Sequence, residues 1–142
     1  MKIENQNNSA QTVLITGGNA GLGYACATEL LKSKKGAHWH VVIACRDQQR
    51  ANEAVGKLKT LAGKDARVEA MALDLASFAS IRNFAAEVKS KLNNGSLPPL
   101  HGIVCNAGVQ SGTTKTYTKD GFETTFGVNH LGHFCENSVN YC

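Results

Sequence analysis

The sequence predicts an α/β protein of the doubly wound, Rossmann-like kind, with a parallel sheet in the strand order 3-2-1-4. Three observations predict it. Short β-branched or apolar runs alternate along the chain with longer segments whose apolar residues recur at three and four positions. A glycine-rich turn joins the first run to the first periodic segment. Strands separated by helices pair in parallel through right-handed crossovers, because the helix between them takes the place of a hairpin.

Each element has its own signal. Thr12-Val-Leu-Ile-Thr16 is a β-branched run that stops at glycines, and from Gly21 the residues Ala25, Cys26, Ala27, Leu30 and Leu31 give a helix. Lys34-Lys-Gly36 supplies the basic residues and glycine that end helices. Trp39 to Cys45 is nearly continuous in apolar residues, as suits a strand covered on both faces. Asp47 can cap a second helix, with Ala51, Ala54, Val55, Leu58 and Leu61 on one face and Gly63 at its end. Arg67 to Leu73 alternates through Val68, Ala70 or Met71, and Leu73 as a third strand. Ser77 caps a third helix carrying Phe78, Ile81, Phe84, Ala85, Val88 and Leu92, and Asn93-Asn-Gly-Ser-Leu-Pro-Pro99 closes it. Leu100 to Cys105 supplies a fourth strand. After a polar loop from Gln110 to Lys119, Asp120-Gly-Phe-Glu123 has the D-x-x-E form of a capping box and predicts a helix with Phe122, Phe126 and Leu131.

Size and composition narrow the class. A chain of 142 residues suits one domain, 1–142, and 42% hydrophobic against 18% charged residues marks a chain that packs. No apolar run reaches the roughly 20 residues of a membrane-spanning helix, and Met1 to Gln11 is polar rather than a secretion signal. The net charge of +4 is dispersed, with no block of five basic residues to suggest a nucleic-acid arm. Five cysteines, at 26, 45, 105, 135 and 142, form an odd set without a C-x-x-C pair. A reducing, cytoplasmic setting without a metal is the expectation.

The chemistry begins at Thr16-Gly-Gly-Asn-Ala-Gly-Leu-Gly23. Glycines at a strand-to-helix turn let the backbone approach a pyrophosphate, and the helix N–H groups then face the anion. Gly17, Asn19, Gly21, Leu22 and Gly23 are the candidates. The plainer alternative is a glycine-rich turn that binds nothing. With the spacing T-G-x-x-x-G-x-G at a first βα turn, the segment resembles the short-chain dehydrogenase/reductase family, and the likeness continues in order to about Phe134.

The resemblance implies roles for further residues. In that family an Asp closing the second strand selects NAD by bonding the adenosine ribose; here the position falls on Cys45, followed by Arg46. Cys cannot accept those bonds, whereas the Arg46 guanidinium suits a 2′-phosphate, so NADP(H) is the expected cofactor. Pairing of Arg46 with Asp47 or another surface acid is the alternative. Leu73-Asp-Leu75 matches the D-[VL] pattern that holds adenine, through Asp74 and Leu75, although an Asp before Ser77 is also an ordinary turn residue. Asn106, Ala107 and Gly108 match the N-A-G motif, weak alone because Asn and Gly form turns everywhere. Phe126 to Phe134 is similar to the retinol dehydrogenase and protochlorophyllide reductase-like branch, and Asn129 matches the Asn whose backbone carbonyl holds a water in the proton relay. His130, His133 and Cys135 lie close in sequence but form an incomplete zinc set, which favours structural roles.

The family's Tyr and Lys, in the pattern Y-x-x-x-K, are not found here. Of Tyr24, Tyr117 and Tyr141, the first two are followed four residues later by Thr28 and Gly121, and the third is too near the terminus. Cys135 to Cys142 is polar where the family continues an apolar helix. A truncated binding module is therefore expected, with an unpaired fourth strand that invites self-association or pairing with a full-length relative. Three readings follow: an NADP(H)-dependent oxidoreductase domain whose substrate contacts lie in a missing half, a catalytically silent NADP(H)-binding or partner-associating protein, and a fragment too incomplete to bind tightly.

Overall fold

The computed structural model describes residues 9–33 and 38–135. Four strands, β1 (Gln11–Thr16), β2 (Trp39–Cys45), β3 (Arg67–Ala72) and β4 (Leu100–Val104), form one sheet in the order β3-β2-β1-β4. Every pairing is parallel. The helices α1 (Gly21–Lys32), α2 (Gln48–Ala62) and α3 (Phe78–Asn93) supply the crossovers, as the alternation of the two periodicities predicts.

Both faces of the sheet are covered, which is why β1 and β2 read as continuous apolar runs. Side chains alternate in direction along a strand. Val13, Ile15, Val41, Ile43 and Cys45 accordingly pack with Ala27, Leu31, Ala51, Ala54 and Leu58 of α1 and α2. Leu14, Val42 and Ala44 turn the other way, against Ile81, Phe84 and Val88 of α3. In β3, Val68 joins the first cluster and Met71 the second, which Leu73 also joins just beyond the strand.

Capping follows the sequence at two helices and departs from it at a third. Asp47 accepts the Arg50 N–H at 3.0 Å, and Ser77 accepts that of Ser80 at 3.3 Å. The expected terminator Lys34-Lys-Gly36 lies outside the described residues; α1 is followed to Lys32, where Ser33 Oγ donates to the Leu30 carbonyl at 2.8 Å. The D-x-x-E segment does not form the expected box. Glu123, not Asp120, caps the short helix α4 (Thr124–Phe126), its carboxylate accepting from the N–H groups of Thr125 and Phe126. Asp120 instead accepts the Phe78 N–H of α3 at 2.8 Å. Gly121, at φ +85°, reverses the chain between the two acids, so they serve different helices. From α4 the chain widens into a π-helical segment, Gly127–Gly132, rather than continuing as α-helix.

At the start of β4 the pairing with β1 is irregular between Thr12 and Val13. Thr12, fully buried, secures this point by donating its hydroxyl to the Pro98 carbonyl at 2.7 Å. No strand lies on the outer side of β4 among the described residues.

Candidate functional site

The carboxyl ends of the four parallel strands converge on one edge of the sheet, the place where open α/β sheets bind ligands. Thr16 ends β1 and the chain turns through Gly17 at φ +66°, a conformation that side-chain-bearing residues rarely adopt. The turn is also crowded: a Cβ on Gly23 would stand 2.5 Å from Asn106 Nδ2 and 2.6 Å from the Gly17 carbonyl oxygen. Gly21 opens α1. Ala20, at the N-cap, makes no side-chain cap bond, so the first-turn N–H groups of α1 remain suited to an anion.

A cavity of about 200 Å³ opens beside this turn. Gly17, Asn19, Cys45, Arg46, Asp74, Leu75, Ala107 and Gly108 are among the residues that line it. Seven candidates separated widely in sequence thus come together: Gly17, Asn19, Arg46, Asp74, Leu75, Ala107 and Gly108. A second cavity, about 370 Å³, adjoins across Asn19 and includes Gly21, Arg50 and Lys57. Leu22 faces outward at 84% exposure and contributes no side chain to either. Gly23 and Asn106 lie behind the turn, where Asn106 Nδ2 donates to the Thr16 carbonyl at 3.0 Å.

The side chains at the strand ends differ in what they leave available. Cys45 is buried, and that burial raises its thiol pKa against the opposing effect of the Asn19 and Gly18 N–H groups aimed at the sulfur. Asp47 spends its carboxylate on the α2 cap, and among the described residues no acid pairs with Arg46. Asp74 serves its local turn, accepting the Ala76 N–H at 3.0 Å, and stands 3.3 Å from Lys119 Nζ while still facing the cavity.

Asn129 lies in the π-helical segment beside the N-A-G turn. Its amide makes a two-way clasp with the Val109 backbone, accepting from N–H and donating to the carbonyl, each at 2.8 Å. His133 and His130 diverge. His133 is buried with Nε2 2.8 Å from Thr16 Oγ1, whereas His130 stacks on Phe126. Among the described residues no group of three His, Cys, Asp or Glu side chains is arranged for a metal, and no helix is long and apolar enough to cross a membrane.

Thr16, Cys45, Arg50 and His133 gain importance from the geometry beyond what the motifs assigned. The sequence marked Thr16 as a strand end and the first residue of the glycine motif, and nothing in the spacing pairs it with a residue 117 positions away. Arg50 had a local signal, being one helical turn beyond Arg46.

Known proteins agree with this arrangement. The family model described as short chain dehydrogenase matches residues 11–137. The WW domain-containing oxidoreductase of Gallus gallus is 43% identical over 132 residues, covering 93% of this chain and 29% of the relative. Retinol dehydrogenase 14 of Mus musculus is 44% identical over 133 residues, covering 87% of this chain and 37% of the relative. Among solved structures, the RhlG/NADP active-site complex of Pseudomonas aeruginosa superposes with a TM-score of 0.71 at 25% identity, covering 92% of this chain and 46% of that one. The chain therefore spans about a third of the length of these curated relatives. The match along nearly the whole chain, together with the parallel 3-2-1-4 sheet, establishes that this protein belongs to the short-chain dehydrogenase family and has its Rossmann-like fold.

Proposed function

We propose that residues 1–142 are an incomplete domain that binds NADP(H), the cofactor-holding part of a short-chain dehydrogenase/reductase. The observation that carries this reading is the shared cavity, lined both by the glycine turn and by Arg46, whose guanidinium pairs with no acid among the described residues. Gly17, Gly21 and Gly23 shape a place for the diphosphate, with Asn19 and the Leu22 backbone beside it. Arg46 receives the 2′-phosphate, and Arg50 and Lys57 add positive charge across Asn19. Asp74 and Leu75 hold adenine, while Asn106, Ala107, Gly108 and Asn129 border the nicotinamide end.

NADP(H), when bound, supplies or accepts a hydride to or from a carbonyl, an alcohol or an activated double bond. Asn129 is the relay member carried here, and Y-x-x-x-K is not in this sequence. Tyr24 lies in α1, and Tyr117 is exposed in an antiparallel bridge to Glu123. Turnover by this chain is therefore expected to be negligible, since a positioned general acid alone contributes roughly 10² to 10⁴ in rate. The thiols of Cys26, Cys45 and Cys135 suit a reducing compartment such as the cytoplasm.

Fluorescence titration with NADPH and NADH tests the binding. NADPH is expected to bind more tightly than NADH, and Arg46→Asp to weaken NADPH at least tenfold, about the effect of one lost charge-assisted bond. Absence of saturable NADPH binding by the native chain overturns the proposal.

A second reading is favoured by the outer side of β4, which has no neighbouring strand among the described residues. In it the chain is a catalytically silent NADP(H) binder that pairs with another copy or a full-length relative. Sedimentation showing a stable monomer, alone and with the relative, removes this reading; reduction of an aldehyde by the purified chain removes the silence.

A further inference from the structure

A polar chain lies buried under the turns that border the proposed cofactor cleft. Thr16 is completely buried and His133 is 7% exposed. Thr16 Oγ1 accepts the N–H groups of Asn106 at 3.0 Å and Ala107 at 2.9 Å. A hydroxyl has two lone pairs and one proton, so with both acceptor sites used Oγ1 can only donate. Two acceptors compete for its proton, His133 Nε2 at 2.8 Å and the Val104 carbonyl at 3.4 Å. The shorter contact is the stronger bond, and it requires a bare Nε2.

The proton of a neutral imidazole then resides on Nδ1, which is 3.3 Å from the Asn129 carbonyl and donates to it. Desolvation lowers the His133 pKa and favours the neutral ring, with the Asn129 carbonyl opposing. His130 takes no part, since its ring lies against Phe126.

We infer that His133 is a positioning residue. As a neutral imidazole protonated on Nδ1, it connects the Thr16 hydroxyl, which carries the Asn106–Ala107 turn, to the Asn129 carbonyl. The end of the first strand, the N-A-G turn and the π-helical segment are thereby held in one register. The consequence for the cofactor rests on the NADP(H) reading; the tautomer and the connection do not.

Imidazole ¹⁵N NMR of the native chain, with the His133 ring assigned through bonds from its own backbone resonances, tests the tautomer. A ring with protonated Nδ1 and bare Nε2 is expected; an Nε2–H ring, or a doubly protonated one at neutral pH, overturns the inference. In the second arm, His133→Leu is expected to shift the Asn106 and Ala107 amide resonances and weaken NADPH about five- to tenfold, the loss of roughly one hydrogen bond. His133→Gln, whose amide oxygen can accept from Thr16, is expected to bind within about twofold of native. A folded Leu variant with native affinity and unshifted amides, or equal losses in Leu and Gln, refutes the positioning role. Should neither variant fold, the native-chain tautomer decides. If the native chain binds no NADPH, the proposed function fails by itself, and the tautomer and amide shifts still judge His133.

Discussion

Replacing Gly23 by Ala adds one methyl group at the place where α1, the glycine turn and Asn106 meet. The new Cβ would lie 2.5 Å from Asn106 Nδ2 and 2.6 Å from the Gly17 carbonyl oxygen. Neither obstacle retreats easily. Asn106 Nδ2 is held by the Thr16 carbonyl at 3.0 Å, and the Gly17 oxygen belongs to a backbone already at φ +66°. Relief of both contacts means displacing α1 from the turn and breaking the Asn106 bond; overpacking costs about 1–3 kcal/mol and the lost bond about 1. A total near 2–4 kcal/mol is expected in urea unfolding, together with at least tenfold weaker NADPH binding. Gly56→Ala is the matched control, because a Cβ there meets nothing within 4 Å on the exposed face of α2. It is expected to stabilise by about 0.5–1 kcal/mol through helix propensity alone and leave NADPH affinity unchanged. A Gly23→Ala chain that unfolds at the native urea midpoint would refute the close-approach argument.

Other substitutions examine separate parts of the fold. Glu69 is paired with His40 at 2.8 Å and with Lys91, and its pKa is lowered to about 2, chiefly by the His40 bond. A carboxylate whose folded pKa lies below its unfolded value stabilises above the unfolded pKa and loses that contribution as pH falls through the folded one. Urea titrations of the native chain should therefore show a loss of roughly 1–3 kcal/mol between about pH 4.5 and 2, and Glu69→Gln should flatten that window. Asp120→Ala removes the acceptor for the Phe78 N–H and is expected to lower stability by about 1 kcal/mol, read from the urea midpoint. Thr12→Val leaves the Pro98 carbonyl without its donor and should cost about 1–2 kcal/mol in the same assay, with Thr12→Ser retaining most of it.

How much was legible in the sequence depended on how local each signal was. The strands β1 and β2 announced themselves because burial on both faces removes the need for polar residues, and Asp47 and Ser77 cap helices that begin immediately after them. The D-x-x-E segment misled because two acids competed for one role, and only the turn at Gly121 decides which helix each one meets. At the site, the motif residues Gly17, Arg46, Asp74 and Ala107 could be named from their positions after successive strands, since parallel order brings all strand ends to one edge. The bond between Thr16 and His133 was not legible in that way. It depends on the π-helical widening of Gly127–Gly132, and a residue's facing within such a segment does not follow the 3.6-residue period.

The charge distribution around the cavity bears on why Arg46, rather than the strand-end residue before it, would discriminate between cofactors. Burial raises the Cys45 pKa, so its thiol stays neutral, and it contributes neither a carboxylate for ribose hydroxyls nor repulsion toward a phosphate. Asp74 is the one acid lining the cavity among the described residues, and Lys119 stands 3.3 Å from it. Arg46 thus has no paired acid among the described residues, with Arg50, Lys57 and Glu53 in the adjoining cavity, while the Asp74 side keeps an acceptor for a neutral amino group. An Asp in place of Cys45 would have to ionise beside Arg46 and would draw the guanidinium to itself, removing it from a phosphate. On the proposed NADP(H) reading, the neutral residue at 45 and the cation at 46 therefore act as one arrangement, and neither alone would distinguish NADP(H) from NAD(H).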